Sequence, residues 1–228
     1  MIAQNINNIR ARIAAACAKC GRNPEEVTLV AVTKTFPLES VREAVASGAN
    51  DFGENYVQEF RSKYEDLRDE QIRWHFIGHL QRNKVREIVG KTAFIHAVDS
   101  IRLGEEISKR AESLKQTVNI LVEVNTTDED SKFGVKPEDT IALVHSLATL
   151  PHLNVTGLMT IGYFKPDPEV SRPVFRLLKN LQSDLRKEGR ILPHLSMGMS
   201  NDFEIAIEEG STMVRIGTAI FGKRLKVA

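Results

Sequence analysis

Five positions in this chain combine residue type and placement in a way that suggests covalent and anion-binding chemistry. Lys34 stands at the end of the apolar run Leu29-Val30-Ala31-Val32, with Thr33 between. An ammonium at a buried strand end is desolvated, which lowers its pKa and frees the amine to form a Schiff base with an aldehyde. The plainer reading is a lysine that snorkels to solvent. Ser196-Met-Gly-Met-Ser-Asn-Asp lies between a short strand and a helix, with Gly198 permitting close backbone approach and Ser200 offering a hydroxyl at the helix start. Free N–H groups at such a start make an anion site, although the same hydroxyl could serve as an ordinary N-cap. Gly217-Thr218 follows the run Met213 to Ile216 and supplies further backbone donors. Arg215 lies within that run, and the two-residue period turns it away from Val214 and Ile216, either inward or toward a helix. An inward guanidinium needs a partner.

One ligand would serve all of these positions. Lys34 calls for an aldehyde, Ser200 with Gly217 and Thr218 for a phosphate, and Arg215 for a ring acceptor. Pyridoxal 5′-phosphate carries all three groups.

The elements that must position these residues alternate along the chain. Ile2, Ile6, Ile9 and Ile13 form one stripe of a helix reaching about Cys20. Gly21 and Pro24 stop it, and Thr28 to Val32 reads as a strand buried on both faces. Helix Leu38–Ser47, strand Asp51–Glu54, helix Val57–Leu67 and strand Trp74–Ile77 follow. After them come a basic helix Asn83–Val89, strand Phe94–Val98, helix Ile101–Leu114 and strand Val118 to Val124. A helix opened by Pro137, strand Val155–Met159, helix Ser171–Lys187, the short strand His194–Ser196, helix Asp202–Glu209 and strand Met213–Ile216 complete the series, with an eighth helix expected in the tail after Gly222. Strict alternation implies parallel strands joined by crossovers. Eight of them close as one (β/α)8 barrel of TIM type, near the usual ~250 residues. A doubly wound open sheet would require a Gly-rich turn after the first strand, whereas Thr33-Lys-Thr-Phe-Pro stands there.

The chain has 228 residues, 31 Lys+Arg against 30 Asp+Glu, 42% hydrophobic residues and two cysteines. These figures fit a single domain, residues 1–228, with residues 1–20 as a helix packed on the barrel. A net charge of +1 provides no global field for nucleic acid or an anionic membrane. No apolar run approaches the ~18 residues that span a bilayer, and the amide-interrupted N-terminus does not read as a signal peptide, so a cytoplasmic location is expected. Cys17 and Cys20 read as ordinary helix residues, there being no second Cys-x-x-Cys pair. His75 and His79 are four apart, but a strand and Gly78 break the helical spacing a metal pair would need, so no metal is expected. The basic segment with Arg82, Lys84, Arg86 and Lys91 is either a solvated face or a contact surface for an acidic partner.

The motifs Val30-Ala-Val-Thr-Lys-Thr, Phe52-Gly-Glu-Asn-Tyr-Val-Gln-Glu, Trp74-His-Phe-Ile-Gly-His-Leu-Gln-Arg-Asn-Lys, Val98-Asp-Ser, Gly157-Leu-Met, Leu195-Ser-Met-Gly-Met-Ser-Asn-Asp and Gly210-Ser-Thr-Met-Val-Arg-Ile-Gly-Thr-Ala-Ile-Phe-Gly resemble, in order and over nearly the whole chain, the pyridoxal phosphate homeostasis protein family. The resemblance implies a fold type III barrel like the N-terminal domain of alanine racemase, with the cofactor bound as an aldimine to Lys34. It implies that Ser200 and the backbone of Gly217 and Thr218 hold the phosphate, that Arg215 faces the pyridine nitrogen and that Asn55 lies beside the ring. Thr33 stands where the family often has serine.

Related racemases carry a further β domain with a second catalytic base. This sequence ends ten residues after Thr218, and Tyr56, Tyr64 and Tyr163 offer no convincing replacement. A guanidinium against the pyridine nitrogen also disfavours its protonation and weakens the ring as an electron sink. The expectation is therefore a monomeric carrier, not an enzyme, that buffers pyridoxal phosphate and supplies apo-enzymes. An amino-acid racemase or another small-substrate enzyme is the alternative.

Overall fold

A computed structural model describes residues 1–127, 129 and 133–222. The eight strands are β1 (Thr28–Val32), β2 (Asp51–Glu54), β3 (Arg73–Phe76), β4 (Phe94–Val98), β5 (Val118–Glu123), β6 (Leu153–Met159), β7 (His194–Ser196) and β8 (Met213–Ile216). They pair in chain order, all parallel, and β8 closes on β1 with Val30 opposite Arg215. The expected (β/α)8 barrel is the observed fold.

The helices are α1 (Ile2–Lys19), α2 (Leu38–Ala46), α3 (Val57–Asp66), α4 (Val85–Ile88), α5 (Ile101–Ser113), α6 (Thr140–Leu147), α7 (Arg172–Lys187), α8 (Phe203–Glu208) and α9 (Thr218–Phe221). Ile2, Ile6, Ile9 and Ile13 are all buried, which docks α1 against α2, α8 and α9. Burying four isoleucine side chains contributes roughly 6–12 kcal/mol as an upper estimate.

Two expected helices differ from what is observed. The basic helix Asn83–Val89 is a 3-10 turn, Arg82–Lys84, followed by one turn of α4. Its cationic residues stay outside while Val85 and Ile88 are buried. The eighth helix begins at Thr218, ahead of Gly222, because Gly217 ends β8 and its carbonyl accepts from the amides of Ile220 and Phe221. The tail after Gly222, where that helix was expected, lies outside the described residues.

Apolar residues divide unequally between the two layers. The large cluster lies between helices and sheet and includes Phe52, Phe60, Phe76, Phe175 and Phe203. Inside the barrel the apolar cluster is small: Ala97, Leu121, Met159 and Met213, with Phe94 and Ile161 against it. Much of the remaining interior is polar, since His75, His96, Glu123, Ser196 and Arg215 are buried.

Candidate functional site

Active sites of (β/α)8 barrels form where the strands end, and this barrel has a cavity of about 610 Å³ at that face. Lys34, Asn55, Ser200, Arg215, Gly217 and Thr218 all line it. The six come from the ends of β1, β2, β7 and β8, so residues 184 positions apart, Lys34 and Thr218, share one wall.

The backbone around Lys34 is braced on both sides. Thr33 is fully buried; its hydroxyl donates to Glu54 Oε1 at 2.5 Å, and its carbonyl accepts from Lys63 Nζ at 2.7 Å. Lys63 Nζ also lies 2.6 Å from Glu54 Oε1 and 3.5 Å from Glu59 Oε2. On the other side of Lys34 the Thr35 amide donates to Glu59 Oε2 at 2.6 Å. Thr35 has φ +66°, a left-handed conformation that a β-branched residue adopts only under constraint. The Glu54 carboxyl is fully buried, and burial pushes its pKa up despite the attraction of Lys63.

Opposite, the turn after β7 and the start of α9 meet. Gly198 has φ +94°, and a Cβ there would lie 2.6 Å from Ala206 Cβ and 2.8 Å from Phe203 Cα. Ser200 does not cap α8, as its sequence position suggests. Asp202 occupies that turn, its carboxylate accepting the Met199 amide at 2.7 Å. Ser200 Oγ instead accepts the Ala219 amide at 3.3 Å, tying the two loops together. Among the described residues the amides of Ser200, Asn201, Gly217 and Thr218 have no protein acceptor. Four unpaired N–H groups beside one cavity suit an anion.

Arg215 points inward and is 5% exposed. Its Nη1 donates to Ser196 Oγ at 2.6 Å and its Nη2 to the Thr160 carbonyl at 2.8 Å. Burial pushes its pKa down to about 10, opposed by Glu123 and Asp202, so it remains a cation at neutral pH. Glu123, at the end of β5, is pushed up to about 7 by burial and then by Asp99. Its Oε2 is buried without a hydrogen-bond partner among the described residues.

Of the three tyrosines, Tyr163 lines the cavity, Tyr56 is half exposed and Tyr64 packs on Phe60. His75 and His79 do not converge: His75 faces Asp51 inside the barrel, and His79 stacks on Phe133 at 4.0 Å. Cys17 and Cys20 are free. Sequence reasoning assigned no role to Glu54, Lys63, Ser196 or Glu123. A signal for Lys63 was present, because it continues the buried stripe Val57, Phe60 of α3.

Residues 4–224 match the family of the alanine racemase N-terminal domain, so the protein is a barrel of that class. The chain is 46% identical over 222 residues to the pyridoxal phosphate homeostasis protein of Aquifex aeolicus, an alignment covering 97% of both chains. The solved structure of PipY from Synechococcus elongatus with PLP bound matches at a TM-score of 0.87 and 32% identity, covering 97% of this chain and 100% of that one. Alanine racemase from Corynebacterium glutamicum shares the fold alone, at a TM-score of 0.75 and 18% identity, with this chain spanning 62% of its length. The chain belongs to the pyridoxal phosphate homeostasis protein family.

Proposed function

We propose that this protein holds pyridoxal 5′-phosphate on Lys34, limits its free concentration and supplies it to apo-enzymes without turnover of its own. The observation that carries this reading is the shared cavity: an amine at the end of β1, four unpaired amides beside β7 and β8, and a buried cation on β8 surround one space. The donor set fits the group. Ser200, Gly217 and Thr218 would take the phosphate, Arg215 would face the pyridine nitrogen, and Asn55 would lie beside the ring. When bound, the group supplies an aldehyde for the amine of Lys34 and a ring able to accept electrons.

The state of Arg215 supports a carrier over an enzyme. A guanidinium that stays charged and is anchored by two hydrogen bonds disfavours a proton on a facing ring nitrogen. An unprotonated ring is a weaker electron sink, and carbanion chemistry suffers. One observation favours the alternative, an amino-acid racemase or related activity: Tyr163 lines the same cavity as Lys34 and could act as a second base.

Among the described residues no helix is long and apolar enough to cross a membrane. We place the carrier in the cytoplasm as a monomer. Its exposed large apolar residues, including Tyr56, Phe133, Phe164 and Ile191, do not call for an extensive subunit interface.

Adding pyridoxal phosphate should produce an absorption band that borohydride fixes onto Lys34. The absence of a band, or a band retained in Lys34→Ala, overturns the proposal. Exchange of the α-proton of amino acids in deuterium oxide, lost in Tyr163→Phe, would establish the enzyme reading instead. Direct supply to a partner requires the loaded protein to restore an apo-enzyme faster than free cofactor does.

A further inference from the structure

The guanidinium of Arg215 is the upper end of a chain of buried hydrogen bonds that descends through the barrel. Its Nη1 donates to Ser196 Oγ at 2.6 Å, and Ser196 Oγ lies 2.9 Å from His96 Nδ1. His96 Nε2 lies 2.9 Å from His75 Nδ1, and His75 Nε2 lies 2.8 Å from Asp51 Oδ1. Asp51 opens β2 at the opposite face, where Arg73 grips its two oxygens at 2.9 and 2.8 Å. Both Asp51 and Arg73 line a separate cavity of about 350 Å³ on that face. His75, His96 and Ser196 are completely buried, and Phe94 stacks on His75 at 5.2 Å with an 18° interplanar angle.

Hydrogen counting fixes the direction of this chain. A guanidinium only donates, so Ser196 must accept from Arg215 and spend its own hydrogen on His96 Nδ1. A carboxylate only accepts, and Asp51 stays ionised because the hydrogen bonds from His75 and Arg73 outweigh the effect of its burial. His75 Nε2 therefore carries a hydrogen toward Asp51. His96 is held neutral, well below its ordinary pKa, first by burial and then by His75, Arg215 and His194. With Nδ1 of His96 accepting, its Nε2 must donate to Nδ1 of His75. Each of the four bonds then has one hydrogen, and every donor points from the barrel mouth toward Asp51. In the reverse arrangement Ser196 receives two donors, and its hydroxyl hydrogen has no acceptor among the described residues. A buried, unsatisfied hydroxyl of this kind is costly.

We propose that Asp51, His75 and His96 are positioning residues for Arg215: a one-directional relay through the barrel interior turns the Ser196 lone pair toward the guanidinium and holds it at the mouth. The link from Arg215 to a cofactor rests on the reading of the cavity as a pyridoxal phosphate site; the relay itself does not. It also gives a role to the polar barrel interior, since a carboxylate at one face sets the acceptor strength felt by a cation at the other.

The relay is tested first in cofactor-free protein by nitrogen-15 NMR of the histidine rings. His75 and His96 should both carry their ring hydrogen on Nε2, and the shifts of His96, held neutral by burial, should stay unchanged between about pH 6 and pH 8. A hydrogen on Nδ1 of either ring, or charging of His96 in that range, overturns the relay. The second arm adds pyridoxal phosphate to His96→Leu, which cuts the chain between Ser196 and Asp51. Binding should weaken by up to about tenfold, because Ser196 is no longer held by His96 to accept from the guanidinium, and the absorption maximum should move. Phe94→Leu, beside His75 but outside the relay, should lower stability and leave the maximum in place. Wild-type binding and absorption in His96→Leu would refute the positioning role. If His96→Leu does not fold, Ser196→Ala gives the same reading from the other side of the cut. Should the wild type bind no pyridoxal phosphate, the NMR arm still decides the relay.

Discussion

Replacing Lys63 with methionine should destabilise the fold by an amount that depends steeply on pH. The substitution keeps the length of the side chain and removes the ammonium that sits 2.6 Å from Glu54 Oε1 and 2.7 Å from the Thr33 carbonyl. Glu54 is then a fully buried carboxyl whose remaining hydrogen bond comes from the Thr33 hydroxyl, its Oε2 having no partner among the described residues. Breaking a buried ion pair from one side costs about 3–5 kcal/mol. Glu54 can escape part of that penalty by taking up a proton, at about 1.4 kcal/mol for each pH unit above its unfolded value of 4.5. The penalty should therefore be about 1 kcal/mol at pH 5, where the proton is cheap, and about 4 kcal/mol at pH 8. The sign follows from proton binding: the folded variant holds a proton that the unfolded chain has released, so stability falls as pH rises. The larger figure corresponds to roughly 10 °C in Tm for a chain of this size. Urea unfolding at both pH values provides the measurement, and Glu54→Gln combined with Lys63→Met should recover most of the loss. Destabilisation below about 1 kcal/mol at both pH values would show that the pair is not a desolvated charge pair, and the reasoning would fail. Because Thr33 and Thr35 flank Lys34, the same variant should also slow borohydride trapping of pyridoxal phosphate on Lys34.

Gly78→Ala should cost about 1–3 kcal/mol and weaken pyridoxal phosphate binding, because the added Cβ would lie 2.2 Å from the carbonyl oxygen of Asn55, a cavity residue; unchanged affinity would place Asn55 outside the binding surface. Glu123→Gln should flatten the dependence of stability on pH. In the wild type the folded pKa of about 7 lies above the unfolded 4.5, so a contribution of roughly 3 kcal/mol is complete below pH 4.5 and is lost as pH rises through 7; equal slopes in urea titrations of the two proteins would contradict it. Ile9→Ala, in the buried stripe of α1, should cost about 2–5 kcal/mol with cofactor affinity unchanged, read by calorimetry and by absorption titration.

What the sequence reveals and conceals has a physical pattern. Lys34 and Arg215 were legible because an apolar run marks a buried strand, and the period of two together with the strand end fixes where each side chain emerges. Gly217 and Thr218 were legible for the same reason, since they follow β8 directly. Ser200 was placed in the correct loop with the wrong partner: local spacing points to α8, whereas its hydroxyl meets the Ala219 amide 19 residues later. The relay was hidden altogether. Inward placement of His75 and His96 follows from strand period, but their contact depends on the closure of the barrel, and Ser196 lies 100 residues from His96. The brace at Lys34 was partly visible, since a lysine on the buried stripe of a helix needs a buried acceptor, yet nothing in the sequence identifies that acceptor as Glu54.

The division of the apolar residues explains how one small barrel supports so polar an interior. Bulky aliphatic side chains ordinarily fill a (β/α)8 barrel in layers, and here the interior apolar residues are a small cluster, Ala97, Leu121, Met159 and Met213 with two neighbours, together with Val30, Val32 and Ile77 around Gly53. Stability is drawn from the opposite surface of the sheet, where the strands meet the surrounding helices and the large phenylalanines are buried. The interior is thereby released from most of the work of holding the fold and can carry a carboxylate, two imidazoles and a guanidinium in one hydrogen-bonded line. Such a line is stable only when each member is satisfied, so interior and exterior should respond differently to substitution. An outer change such as Ile9→Ala removes buried area and leaves the relay intact, while an inner change such as His96→Leu adds apolar volume but leaves the Ser196 hydroxyl without its acceptor and no longer oriented toward Arg215. Stability and cofactor affinity should therefore separate across the sheet, with the strands as the boundary between them.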